Sequence, residues 1–311
     1  MIPFRRRCVW LLALVWSVAS AASPTNDETE ATRVIARGFL HKLFVDSDVK
    51  GAYERYAAND FVQHNPEMAD GIAGREAFSA ARAKQPNGQP SRWANVYNMV
   101  LVDRDLFAVH HHIFTGPNDP GRVFVDLFRV ANGRIVEHWD VIQSLPQQMA
   151  HANGIGCGKG NDYRSALSLG PTLDHPTCGM PDGRTSRAES LLVIDEYTAQ
   201  IRIGDVRNAT LHWLEPGYRQ HSPAIPDGVQ GALVYLQHEY GTAVKAVPRA
   251  TPPRVVAEGD FVLYHRLVWY PGATRASANV DVFRVTHRQI SEHWDVKESV
   301  PEHSMNSNGM W

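Results

Sequence analysis

Cysteine is scarce. Only Cys8, Cys157 and Cys178 occur in 311 residues, so the fold must rest on apolar burial rather than on a disulfide framework. Clustered positive charge is missing too. The net charge is -2, charged residues make up 21% of the chain, and no basic cluster follows Arg5-Arg6-Arg7. That argues against a nucleic-acid-binding surface. Long apolar runs are also absent: the stretch Val9–Val18 is too short to span a bilayer. No recognised metal-ligand spacing is present.

The short apolar run has another use. It follows three arginines and precedes Ala19-Ser20-Ala21-Ala22, the layout of a cleavable export signal over residues 1–22. Cleavage after Ala21 or Ala22 predicts a secreted or periplasmic mature chain with no membrane association. Cys8 leaves with the signal. Cys157 and Cys178 are then free to pair in an oxidising compartment.

The chain repeats itself. Asp126–Val141 reads DLFRVANGRIVEHWDV and Asp281–Val296 reads DVFRVTHRQISEHWDV, identical at ten of sixteen positions without a gap. Upstream, Gln63-His64-Asn65-Pro66 matches Gln220-His221-Ser222-Pro223, and each is followed by Asp-Gly at Asp70-Gly71 and Asp227-Gly228. Two copies this long indicate a duplicated domain rather than a solenoid. The expected units are residues 31–150 and 188–305, each large enough for its own core. Residues 151–187, rich in Gly, Pro and Asp, read as a linker carrying the cysteine pair. Neither cysteine has a counterpart in a repeat, which speaks against thiol catalysis.

Each unit opens with helical periodicity, at Thr32–Phe44 and Ser190–Ile203. A short helical piece is expected to end at the Gln-His motif, with a further helix near Arg75–Lys84 or Val229–Tyr240. Period-two strands then follow: Arg92–Val102, Leu106–Phe114, Arg122–Val130 and Ile135–Ile142 in the first unit. The second has Arg254–Glu258, Phe261–Trp269, Asn279–Val285 and Ile290–Val296. Helices followed by an antiparallel meander imply an α+β unit.

The final hairpin leaves two registers open. A two-residue Asn132-Gly133 turn puts Asp126 with Glu137 and Trp139. A three-residue loop with a bulge at Gly133 places Asp126 opposite His138, with Asp140 and Phe128 on the same face. The second reading is preferred, because it gathers the titratable groups. Asp126 and Asp281 sit on otherwise apolar faces, where a carboxylate is costly unless bonded or functional. Within His110-His111-His112, only His110 matches a histidine in the other copy, His265, so His111 and His112 are expected at an edge or in solvent. His64 and His221 are expected at a helix end, facing a cavity mouth.

The run from Asp126 to Asp140, taken with Gln63–Pro66 and Asp70-Gly71, resembles the SnoaL-like polyketide cyclase family of the nuclear transport factor 2-like superfamily. The resemblance extends over both units. It implies two cone-shaped α+β barrels, each a curved antiparallel sheet wrapped on N-terminal helices around a pocket. It also implies proton transfer without metal or organic cofactor, by Asp140 and Asp295. By the same resemblance, Asp126 and Asp281 lie where ketosteroid isomerases keep a protonated acid. The second unit departs at His287-Arg288, Ser222 and Arg266.

The candidate site residues are therefore Asp140, His138, Asp126, His110 and His64, with Asp295, His293, Asp281, His265 and His221 in the second unit. They suit an acid/base enzyme acting next to a carbonyl of a small apolar ligand, of aldol, isomerase or lyase type. A metal held by His64, His110 and His138 is one alternative, and a non-catalytic ligand-binding module another. The outer sheet faces of Trp139 and Trp294 suggest an intramolecular pseudo-dimer. The matching tails Asn153-Gly154-Ile155 and Asn308-Gly309-Met310 would then cap the neighbouring unit.

Overall fold

A computed structural model describes residues 26–82, 93–240 and 249–311. The export signal and the start of the strand expected at Arg92 lie outside these. In the first unit, α1 (Asn26–Leu40) runs into a wider turn at His41–Val45 and is followed by α2 (Val49–Tyr56), β1 (Ala57–Gln63) and α3 (Gly71–Arg82). Four strands complete it: β2 (Ala94–Asp103), β3 (Leu106–Phe114), β4 (Arg122–Ala131) and β5 (Arg134–Ser144). The α2 helix starts where Asp48 accepts a hydrogen bond from the Gly51 N–H, which satisfies one of the free donors of its first turn. The helices cover one sheet face, where Phe39 meets Tyr53, Phe107 and Phe128 edge-on and Phe107 stacks on Phe128.

The sheet order is β1-β5-β4-β3-β2. Strand β1 runs parallel to β5, pairing Val62 with Glu137 and Gln63 with His138. The sequence reading missed this strand, and with it placed His64 at a helix end. His64 instead follows a strand. The reason lies in composition: AANDFVQ has few apolar residues, buried mainly at Ala57, Phe61 and Gln63, and its partner is distant in sequence.

The second unit has the same plan. It comprises α5 (Arg187–Arg202), α6 (Val206–Trp213), β6 (Leu214–Gln220), α7 (Gly228–Tyr240), β7 (Arg249–Ala250), β8 (Arg254–Glu258), β9 (Phe261–Trp269), β10 (Ser277–Thr286) and β11 (Gln289–Ser299). Its sheet order is β6-β11-β10-β9-β7, with β8 also paired to β9. Where the first unit has one strand, β2, the second has two short ones. Pro252-Pro253 stand between them, and proline cannot donate to a ladder.

The two sheets pack outer face to outer face. Leu127, Trp139 and Val141 share one buried apolar cluster with Val282, Trp294 and Val296. Reciprocal hydrogen bonds surround this shared core. Ile142 N–H donates to Glu298 and Lys297 N–H to Gln143, at 2.7 and 2.8 Å. Val102 N–H donates to Glu258 and Ala257 N–H to Asp103, at 2.6 and 3.0 Å. Each partner lies 155 residues from its equivalent, so the units are related by a pseudo-twofold axis.

The segment 151–187 is more than a tether. It holds α4 (Tyr163–Leu169), whose Ala166 packs on Ala94, Val96 and Phe114. Cys157 and Cys178 are disulfide-bonded. Thr177 and Cys178 N–H groups bond the Tyr97 and Asn98 carbonyls, covering the open edge of β2.

Candidate functional site

The last hairpin decides which side chains meet. Ala131 pairs with Arg134 across a two-residue turn, with Asn132 and Gly133 both at positive φ (51° and 74°). That is the two-residue turn, not the three-residue loop preferred from sequence. One extra residue then enters β5, since Val130 pairs with Ile135 but Arg129 pairs with Glu137. The bulge at Val136 shifts the face by one residue. Asp126, Phe128, His138 and Asp140 therefore share the inner face, as preferred, although Asp126 stands opposite Asp140 and His138 opposite Phe128.

Asp126 is held between two imidazoles. His138 Nε2 lies 2.9 Å from one carboxylate oxygen and His111 Nε2 2.7 Å from the other. The far nitrogens also face acceptors: His138 Nδ1 meets Gln63 Oε1 at 3.0 Å and His111 Nδ1 meets Asn95 Oδ1 at 3.0 Å. Gln63 Oε1 is identified as an acceptor because the Asn65 N–H donates to it. Each ring is thus held at both of its nitrogens. Burial works to raise the Asp126 carboxyl, but the His111 and His138 hydrogen bonds outweigh it and hold it well below the usual range. The acid is an ionised anchor for two rings, not the protonated donor that the ketosteroid isomerase resemblance implied.

Asp140 is in the opposite condition. One oxygen accepts from Asn65 Nδ2 at 2.6 Å; the other is buried with no partner. Burial pushes its carboxyl up to about 6, with His138, Asn65 and Arg75 opposing and Asp126 adding to the rise. A buried carboxylate with one idle oxygen and a pKa near neutrality is suited to accept a proton.

The remaining candidates in the first unit lie elsewhere. His64 is on the outer face, stacked on Trp139 with centroids 4.8 Å apart and 2.9 Å from Glu137. His110 is also on the outer side, where Asn98 donates to its Nδ1 at 3.0 Å and burial pushes it down to about 3. His64, His110 and His138 therefore do not converge, and the metal set read from sequence is not assembled. One ligand atom from each of Asp126, His138 and Asp140 lies within 4.8 Å of the others, the closest potential metal set on the inner face among the described residues. Cys157, His221 and Glu292 are as close, but the sulfur of Cys157 is in the disulfide.

His111, expected at an edge or in solvent, is instead buried on the inner face against Asp126, a placement the sequence pattern does not reveal. Its counterpart is Arg266, which donates to Asp281 at 2.8 Å. Both copies thus place a basic group on the same carboxylate, a signal hidden because the residue types differ. His293 is a looser partner of Asp281, at 3.4 Å. Arg266 is the leading influence that overcomes burial and holds Asp281 low. Asp295 is paired with Lys297 at 2.6 Å, where the first unit has Ile142. Burial would lower the Lys297 ammonium, but Asp295 beside it holds it well above its ordinary value. His221 stacks on Trp294 at 4.5 Å and bonds Glu292 at 3.0 Å. His265 is buried on the outer side, facing Arg254, and pushed down to about 3. Neither histidine joins Asp281 and Asp295.

Several solved structures align with about a third of the chain. TsrD from Streptomyces laurentii is 22% identical, covers 36% of this chain and 90% of its own, and gives a TM-score of 0.30. An NTF2-like protein of unknown function from Mesorhizobium loti is 22% identical, with coverage of 39% and 97% and a TM-score of 0.32. An NTF2-like protein from Burkholderia xenovorans is 17% identical, with coverage of 37% and 92% and a TM-score of 0.30. No curated protein matches. Residues 36–138, most of the first unit, match the SnoaL-like domain family.

Proposed function

We propose that the chain is an exported protein of two SnoaL-like units, and that the first is an acid/base enzyme removing a proton next to a carbonyl of a small apolar substrate. The observation that carries this is the idle, buried oxygen of Asp140 beside an Asp126 locked between two histidines. Asp140 takes the proton. His138, fixed by Gln63 and Asp126, holds Asp126 in place beside it. The neutral phenol of Tyr53, pushed up to about 12 by burial, and the Arg75 guanidinium, which acts electrostatically on both Tyr53 and Asp140, are the donors assigned to an enolate oxygen. His64 has no part in this, because it serves the outer face. The product is an aldol, an isomer or a cleaved fragment, all of which begin with the same proton removal.

The test reads that shared step. The mature protein is incubated in deuterium oxide with bicyclic ketones, headed by 1-tetralone, and exchange beside the carbonyl is followed by NMR. Catalysed exchange is expected. Asp140→Asn should lower it by about 10²–10⁴-fold. Exchange that survives this substitution contradicts the proposal.

A further inference from the structure

A crevice of about 320 Å³ lies away from the inner sheet faces, where β3 turns into β4. His112 and Phe114 stand on one side of it, with the loop from Pro117 to Pro120. The chain that leads from the end of β5 into α4, residues 145–163, supplies the other side. His111 points inward to Asp126, so the alternation of a strand turns His112 outward. The second unit has Leu267 and Thr274 in place of His112 and Asp119. Because the joining segment forms one wall, the site belongs to the tandem chain and not to the shared unit. We propose that this crevice binds a small aromatic amine in its protonated form. The assignment does not depend on the activity proposed for the first unit.

Three observations set the ligand class. First, His112 is only 3% exposed, and its Nε2 donates to the Pro120 carbonyl at 3.2 Å. A carbonyl only accepts, so Nε2 carries the proton and Nδ1 of the neutral ring is a bare acceptor. Burial pushes this ring down to about 4, which keeps it neutral near pH 7. Among the described residues Nδ1 has no hydrogen-bond partner, yet it is not sealed from the crevice that the ring lines. A ligand donor would satisfy it. Second, the wall charges are of one sign. Asp119 and Asp162 line the space, and among the described residues no lysine or arginine does. Burial works to raise Asp119, but bonds from Thr115 and Gly121 outweigh it and hold it below its ordinary value. The Ser165 bonds do the same for Asp162. Both acids are ionised and have lone pairs to spare; Arg122 and Arg164 act on them from beyond the walls. Third, Phe114, Leu145, Met149, Ile155 and Tyr163 give the rest an apolar, partly aromatic lining. A flat ring fits such walls while its ammonium group faces the acids and His112. An anion would meet two carboxylates and a bare nitrogen.

Calorimetric titration of the mature, disulfide-bonded chain at pH 7.5 tests the assignment, with tryptamine as probe and 3-ethylindole as its uncharged comparator. Tryptamine is expected to bind at one site, about tenfold more tightly than 3-ethylindole. Asp162→Asn keeps a side chain able to cap α4 and should weaken tryptamine about two- to fivefold. Met149→Trp, which fills the crevice, should abolish binding while the chain keeps its melting transition. Unchanged affinity in both variants overturns the proposal, as does equal affinity for the two indoles or no binding of tryptamine. Loss of binding in Asp140→Asn instead would place the amine on the inner face of the first unit and overturn it equally.

Discussion

At the scale of single residues, the two units keep the same carboxylates and give them different surroundings. Asp140 has an idle oxygen and a raised pKa; Asp295 has a lysine. The raised pKa has a stability consequence. Folded Asp140 holds its proton up to about 6, above the ordinary 3.8, whereas the unfolded chain releases it earlier. Stability from this group is thus complete below the lower value and is lost as pH rises through the upper one. Asp140→Asn is expected to raise the unfolding free energy by about 1–2 kcal/mol at pH 8, with the gain shrinking toward pH 4. Denaturant melts at both pH values measure this, and a loss of stability at pH 8 would contradict the assignment. Identity between the copies was a partial guide here. His110 and His265, and likewise His64 and His221, are shared because the pseudo-twofold interface gives both copies one environment. His111 and Arg266 differ, yet they do the same work on Asp126 and Asp281.

At the scale of elements, the alternating strands were legible because each has one face on helices and one on the other sheet. β1 and β6 were not: their apolar content is low and their parallel partners lie more than 70 residues away. The hairpin register was decided by a bulge that no turn residue announces. The second hairpin repeats that geometry without glycine, holding His287 and Arg288 at φ of 51° and 61°. A side chain in that region costs about 1 kcal/mol, so Arg288→Gly is expected to stabilise the chain by about that amount in thermal melts. The sheet-to-sheet contact carries its own titration. Burial first, with Asp140 and Glu67 adding, pushes Glu298 up to about 7 against the opposing Ile142 N–H. Its contribution is present below about 4.5 and lost as pH rises through about 7. Glu298→Gln should therefore raise the melting temperature at pH 8 and change it little at pH 4.

At the scale of the whole molecule, each unit is finished by a tail belonging to the other. Gly309 O meets His64 Nδ1 at 2.8 Å and Gly154 O meets His221 Nδ1 at 3.0 Å. Asn308 donates to the Gln63 carbonyl and Asn153 to the Gln220 carbonyl, both at 2.9 Å. The tails thus lie on the Gln-His motifs rather than across a pocket mouth. Gln63 also orients His138 through its side chain, so the C-terminal tail is one residue removed from the proposed catalytic group. Removing residues 305–311 should cost about 1–3 kcal/mol, because the His64 ring and several buried carbonyls lose partners. Denaturant titration of the shortened chain checks this; an unchanged midpoint would contradict it. The duplication and its pairing were visible in the repeated Trp139 and Trp294. The difference between the sites was not, because it rests on Ile142 against Lys297, a position that looks like ordinary strand variation.

The central claim is that Asp140 is a base poised near neutrality in the first unit. The pH dependence of ketone deuterium exchange tests it most directly. The rate is expected to rise with pH to a plateau with a midpoint near 6, and to collapse throughout in Asp140→Asn. A midpoint at the ordinary carboxylate value, or a profile unchanged by the substitution, would contradict it.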